Sequence, residues 1–274
     1  MFKQREAIIR LLKDSDPETV NLTKQQLAQG GSEAIPDLRD LLQTDDQQVA
    51  VHVREILTEI ETREAQASFE KICGKISTLG DLEQGCWYLS QIFQPGVDVE
   101  SYQKTVDTWG HQLGERLTLC HSENSRALAM GQFFGKDLGL RGNEDDYYNP
   151  RNSILPSVMD SKLGIPISLS LLYMMVGQRA SLPVEGINLP GHFVVRHGTT
   201  LLDPFHAGRI LTTSDCVQIL SHQNRTLHQD DLQPAHPKLI LIRILANLLY
   251  IYQNQQNEPL QTMITQWIRL LDPK

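Results

Sequence analysis

The sequence predicts an α+β fold that is mainly helical. Three observations carry this. Apolar residues recur at helical spacing over most of the 274 residues, residues 167–180 are apolar on nearly every face, and one short stretch, residues 192–203, reads as two strands around a tight turn. A helix that is apolar all round is a buried one, so this helix and the adjoining hairpin are expected to form the centre of the molecule.

The first helices, over residues 1–65, are weakly repetitive. Leu11-Leu12-Lys13-Asp14-Ser15-Asp16-Pro17-Glu18 is echoed about 30 residues later by Leu41-Leu42-Gln43-Thr44-Asp45-Asp46-Gln47-Gln48. Each unit is an apolar helix end, an acidic turn, and a new helix whose first turn is acidic or polar, as the positive end of a helix dipole favours. Gly30-Gly31-Ser32 separates them. The pattern is that of a short HEAT-like array or of a plain helical bundle, and two units are fewer than the roughly three such a stack needs.

Residues 66–141 continue as helices. Phe69, Ile72, Cys73 and Ile76 form one stripe, Leu82, Cys86, Leu89, Ile92 and Phe93 a second, and Tyr102, Val106, Trp109, Leu113 and Leu117 a third. Trp87, Trp109, Phe133 and Phe134 are expected in the core, where aromatic rings at helical spacing bury their area. Residues 142–161 mix turn signals with polar groups. Asn152 or Ser153 is expected to cap a short helix through Met159, with Pro156 inside its first turn. Glu144-Asp145-Asp146 lacks the spaced ligands of a calcium loop and reads as a solvated turn.

The central helix starts at Pro166, because proline suits the first helical position, and ends at Leu182-Pro183, because the residue before a proline avoids helical angles. It falls short of the about 20 apolar residues that span a bilayer. Residues 192–196 and 199–203 then read as strands with His197-Gly198 as a two-residue turn. That register places Val194 opposite Leu201 and His192 opposite Asp203. Opposed side chains share one face, so an Asp–His pair is expected there. A carboxylate bound to one imidazole nitrogen fixes the tautomer of the other, although a purely structural hydrogen bond satisfies the same pattern. After Arg209 the chain gives a helix around Ser214–Leu220 and a polar linker to Pro237 whose His222, His228 and His236 read as exposed. Residues 238–255 form an apolar helix, and a final helix carries Met263, Ile264, Trp267, Leu270 and Leu271. The last two helices look like one tetratricopeptide-like hairpin.

Composition narrows the function. The net charge is −8 and no basic–aromatic stripe occurs, so nucleic acid is not an expected partner. Cys73, Cys86, Cys120 and Cys216 are widely spaced, with no CxxC pair and no zinc spacing, and read as reduced, mostly buried thiols. MFKQREAIIRLLKD has no secretory apolar region and no membrane segment is evident, so the chain is expected to be soluble and cytoplasmic.

The strings YYNPRNSILPSVMDSKLGIPISLSLLY, INLPGHFVVR and LLDPF-x-x-G closely resemble the SirB1 family, a transglutaminase-like group whose core also occurs in some F-box proteins. The resemblance covers roughly residues 80–273 and is most specific from Tyr147 to Gly208. It implies a papain/transglutaminase-like core, with the central helix on a small antiparallel sheet, and a division into residues 1–65, 66–220 and 221–274. In active members a cysteine at the start of the central helix attacks a carbonyl, and a His and an Asp on successive strands complete the triad. The helix dipole and the His lower the thiol pKa. The His and Asp positions match His192 and Asp203. The helix start matches Ile165, Pro166 and Ile167, and no cysteine is there. Tyr148, Asn152, Pro166 and Phe205 stand in the shared strings as candidate cleft or ligand-binding residues.

Three functions follow as expectations. The first is a non-catalytic binding or regulatory protein on a degenerate transglutaminase-like core, with a protein or peptide partner and no cofactor. The second is a hydrolase or acyltransferase using Ser168, His192 and Asp203. That one requires the Ser168 hydroxyl within about 2.6–3.2 Å of His192, against the plain alternative of a buried hydroxyl bonded to helix backbone. The third, a metal site from His192, Asp203 and His206, is disfavoured because its ligand set reads as incomplete, so no metal is expected.

Overall fold

The computed structural model describes residues 5–221 and 224–272. The expectation for His222 lies outside these. The described chain is mainly helical with small sheets, the α+β class expected, and it divides into two compact units.

The first unit comprises the chain up to Phe69 together with Gln91–Val97. It contains α1 (Arg5–Leu12), α2 (Pro17–Gln29), α3 (Ile35–Leu41) and most of α4 (Gln47–Cys73). The two acidic turns noted in the sequence are helix caps. Asp16 accepts from the backbone N–H groups of Glu18 and Thr19, and Asp46 accepts from those of Gln48 and Val49. Each satisfies donors that a helix start leaves unpaired. Leu12, Leu38, Leu41, Val49, Val53, Ile56 and Ile60 form the core beneath them.

The second unit comprises Glu70–Ser90 and the chain from Asp98 onward. Most of α5 (Leu79–Phe93) belongs to it, followed by α6 (Val99–Leu117) and α7 (Glu123–Gln132), which widens into one π turn over Phe133–Asp137. Then come β1 (Arg141–Gly142), α8 (Leu155–Ser161), β2 (Leu163–Gly164) and α9 (Pro166–Arg179). The strands β3 (Glu185–Ile187), β4 (Val194–His197), β5 (Thr200–Asp203) and β6 (Arg209–Leu211) form an antiparallel meander in that order, while β1 and β2 pair in parallel. The helices α10 (Thr213–Ser221), α11 (Pro237–Asn254) and α12 (Glu258–Leu271) close the unit.

α9 is the buried rod expected. Every residue from Pro166 to Gly177 is buried, and α6, α11, β3 and β4 surround it. Trp87, Trp109, Phe133 and Phe134 are buried too. The polar end of α9 is tied down by Arg179, whose guanidinium makes two bonds to Glu83, at 2.8 and 3.0 Å, and a third to Asp107. A fork of this kind fixes direction as well as distance, and a cation at a helix C-terminus also meets the dipole favourably.

The structure differs from the sequence reading in three local respects. The hairpin turn is Gly198-Thr199, one residue later than expected, with Gly198 at a φ of +56° and Arg196 opposite Leu201. Asp203 therefore lies past the partners of Val195 rather than directly across from His192, which sits two residues before β4 begins. The short helix α8 is led by Ile154, with no side-chain cap from Asn152 or Ser153. The polar linker before α11 lies along the edge of β3, where the N–H of Ala235 donates to Gly186 at 2.8 Å and Pro234 bridges Ile187. Among the described residues no helix is long and apolar enough to cross a membrane.

Candidate functional site

The site has two sides, the start of α9 and the far end of the hairpin. Ile165 is extended, Pro166 opens the helix, and Ile165, Pro166 and Ile167 are all buried. Ser168 stands in the first turn with its hydroxyl fully engaged. It accepts from the Ile165 N–H at 3.1 Å and donates to the Asn152 carbonyl at 2.6 Å. This is a local backbone cap extended into a tertiary bond. Ser168 is not brought to His192, and among the described residues no hydrogen bond joins them.

Asn152 sits behind that serine. Its amide donates to the carbonyls of Asp146 and Tyr147, at 2.7 and 3.1 Å, and its Oδ1 accepts from Asn143 at 3.0 Å. It is buried, and so is Pro166, so both hold the loop and the helix start in place from within. Tyr148 is the exposed one of the four candidate cleft residues, and its ring centre is 5.3 Å from that of Tyr250. Phe205 lies over Gly142 so closely that a Cβ there would meet the ring at 2.5 Å.

On the hairpin side, Asp203 ends β5 with none of its surface exposed. Its Oδ1 accepts from the backbone N–H groups of Phe205, at 3.0 Å, and His206, at 3.4 Å. Its Oδ2 faces two imidazoles. His206 Nδ1 lies 2.7 Å away in a hydrogen bond. His192 Nε2 lies 3.0 Å away, but it is not aligned for one, and that buried nitrogen has no other hydrogen-bond partner among the described residues. Burial pushes the Asp203 carboxyl up, and the two imidazoles beside it outweigh that and hold it below the ordinary range. The His192 side chain is 12% exposed and that of His206 49%.

Backbone contact fixes the turn that carries His206. A Cβ on Gly131 of α7 would stand 2.5 Å from the Gly208 carbonyl oxygen, and one on Gly135 only 2.0 Å from that of Ala207. Gly208 itself has a φ of +75°, and a side chain there would strike Gly131 and the Tyr173 hydroxyl. Tyr173, on α9, is buried, and its hydroxyl has no hydrogen-bond partner among the described residues. Its pKa is driven up by burial first and by Asp203 second. Sequence reasoning missed Tyr173, Gly131 and Gly135, whose helical spacing gave no sign of what lies across from them.

None of the four cysteines stands at the start of α9. Cys73 is pushed up to about 12, by burial and then by Glu70. Cys86 and Cys216 are also raised chiefly by burial, and a thiol so raised is a poor nucleophile. What the arrangement offers instead is a buried carboxylate between two imidazoles, all three donor atoms within 4.8 Å of one another. It stands beside a cavity of about 300 Å³ walled by Arg141, Asn143, Glu144, Asp145, Phe205 and His206.

Comparison with known proteins follows this geometry. The profile of the transglutaminase-like superfamily matches residues 100–246, just over half of the chain. A UPF0162 protein of Xylella fastidiosa (strain 9a5c) is 33% identical over 170 residues, which cover 58% of this chain and 60% of that protein. The UPF0162 protein PA3419 of Pseudomonas aeruginosa is 31% identical over 165 residues with the same two coverages. F-box only protein 21 of Homo sapiens is 33% identical over 134 residues, 44% of this chain and 21% of that protein. The matched segment thus spans about 60% of the length of the UPF0162 relatives. No solved structure gives a significant match. With Asp203 at the end of a strand and α9 buried beside the sheet, and with the superfamily profile covering both, the chain belongs to the transglutaminase-like superfamily.

Proposed function

We propose that the chain is a non-catalytic binding or regulatory protein of the SirB1 branch of that superfamily, cytoplasmic, with a protein or peptide partner. The observation that carries this is the first turn of α9. Its positions for a nucleophile hold Ile165, Pro166 and Ile167, and the one nearby hydroxyl, Ser168, donates to the Asn152 carbonyl at 2.6 Å. A triad works as a unit, so His192 and Asp203 without an activated nucleophile retain little of its power. The bonding of Ser168 leaves the serine-hydrolase alternative without support, because freeing that oxygen would strand the Ile165 N–H and the Asn152 carbonyl inside the protein.

The full chain, incubated with a glutamine-containing peptide and a fluorescent primary amine, and separately with a fluorophosphonate probe, is expected to give only background. His192→Ala should give the same background. Turnover or labelling by the wild-type chain that disappears in His192→Ala overturns the reading.

A further inference from the structure

The geometry points to a binding site for a borderline divalent transition ion of the zinc class, held by His192 Nε2, Asp203 Oδ2 and His206 Nδ1. This goes beyond the binding-protein reading and does not rest on it, since that reading stands on the start of α9 and this one on the hairpin.

The three donor atoms lie within 4.8 Å of one another, and two imidazoles with one carboxylate are a donor set suited to such ions. The set is not short of ligands. Zinc sites that keep an open position use three protein ligands and a water. At the usual bond lengths of about 2.0–2.2 Å, ligand atoms in a tetrahedral site stand roughly 3.3 Å apart. From 2.7 and 3.0 Å the His206–Asp203 and His192–Asp203 contacts would open by about 0.6 and 0.3 Å, the first exchanging its hydrogen bond for the ion, and the two imidazole nitrogens, no more than 4.8 Å apart, would settle at the same spacing.

His192 supplies the second observation. Its Nε2 is buried, close to the carboxylate and unaligned for a hydrogen bond. A buried polar atom left this way carries a desolvation cost that no hydrogen bond offsets. A cation between the ring and Oδ2 would engage both atoms, and its charge would offset that of a carboxylate with no exposed surface.

The surroundings are those of a held ligand set. Oδ1 of Asp203 is anchored by the Phe205 and His206 N–H groups, which leaves Oδ2 to face the imidazoles. Such anchoring is what orients a coordinating carboxylate. The 206–208 turn is wedged against Gly131 and Gly135, so His206 is carried on fixed backbone despite its exposure. His206 also lines the adjoining cavity, whose wall includes Glu144, Asp145 and Arg141. Two carboxylates against one guanidinium leave the wall slightly negative, which favours a cation over an anion only weakly.

The test uses the full chain stripped with a chelator. Zn²⁺ is titrated in competition with a chromophoric chelator, and Co²⁺ is added separately to follow its visible absorption. One ion per chain is expected, with a Co²⁺ spectrum of low coordination number and a thermal midpoint that rises with Zn²⁺. His206→Gln is the principal variant because its side chain is half exposed and the chain should fold without it. It is expected to lower affinity at least tenfold and to abolish the Co²⁺ bands. His192→Gln should do the same, whereas His236→Gln, at an exposed position outside the cluster, should change neither. Binding that is unchanged in both His206→Gln and His192→Gln, or wild-type binding no tighter than that of the His206→Gln chain, overturns the proposal. Either result leaves the absence of acyl transfer untouched, and acyl transfer by the chain would leave metal affinity to be read independently.

Discussion

The two sides of the candidate site have been treated differently. At the start of α9 the Ser168 and Asn152 polar groups are spent on structure. The Ser168 hydroxyl is closed off between Ile165 and Asn152, and Asn152 is itself used up on Asp146, Tyr147 and Asn143. At the end of the hairpin the polar groups are packed closely but left incompletely paired. Among the described residues His192 Nε2 and the Tyr173 hydroxyl are buried without hydrogen-bond partners, and His206 opens to solvent. Buried polar groups are normally satisfied, and those that are not tend to mark where a protein acts. The comparison teaches that the start of α9 spends the Ser168 and Asn152 groups on backbone, while the end of the hairpin holds polar groups in excess of its hydrogen bonds.

The largest expected effect lies on the strand side. Asp203→Ala removes a fully buried carboxylate and strands the N–H groups of Phe205 and His206 along with two imidazoles. Breaking a buried charged network of this kind costs about 3–5 kcal/mol, to be read as a lower urea midpoint. A loss below about 1 kcal/mol, the scale of an exposed ion pair, would mean that the carboxylate organises nothing and that the contrast between the two sides is false. Gly135→Ala comes next. Its new methyl would stand 2.0 Å from the Ala207 carbonyl oxygen, which is backbone and has no rotamer to give. Overpacking of this type costs about 1–3 kcal/mol, and the turn carrying His206 must shift to relieve it. A variant as stable as the wild type would show that this turn is free to move.

Much of this architecture was legible in the sequence. Pro166 and the apolar run after it located α9, because helix start and burial are both written in local residue types. The two acidic turns are visible for the same reason, whereas the capping by Asp16 and Asp46 is a finding of the structure. The hairpin register was misjudged, yet the meeting of His192 with Asp203 survived. Moving the turn from His197-Gly198 to Gly198-Thr199 shifts every cross-strand partner by two residues, and a shift of two leaves side chains on their original faces. The pair is diagonal instead of opposed, still within reach of an imidazole. What could not be read depends on contacts distant in sequence. β3 and β6 have three residues each, too few to show alternation, and β1 and β2 have two. Asn152 reads locally as a cap and is used instead on three residues of the loop before it. The sequence offers His206 as a third candidate ligand beside His192 and Asp203, without its contact to the carboxylate. Only the fold of the Asp203-Pro204-Phe205 turn brings it back onto Oδ2.

On the helix side the expected effects are smaller, and they sharpen the contrast by their kind. Ser168→Ala deletes an oxygen that serves the Ile165 N–H and the Asn152 carbonyl, both in a buried setting. A cost of about 1–2 kcal/mol is expected in urea unfolding. Metal affinity and any residual activity should not change. A Ser168→Ala chain that keeps its stability but loses a chemical activity would place function at the start of α9 and invert the comparison.

The smallest effect concerns the thiols. Cys73, Cys86 and Cys216 are buried, with pKa values raised mainly by that burial, and Cys120 is the partly exposed one of the four. Reaction needs the thiolate and access to it, so a raised pKa and burial both suppress the rate. A disulfide reagent at neutral pH is therefore expected to modify one thiol of the native chain, lost in Cys120→Ser, and all four after denaturation. A second thiol reacting quickly in the native chain below pH 6 would mean that a cysteine has been recruited to the imidazoles from elsewhere in the fold. The strand side would then still own a nucleophile, and its loose pairing would be explained by catalysis instead of by an ion.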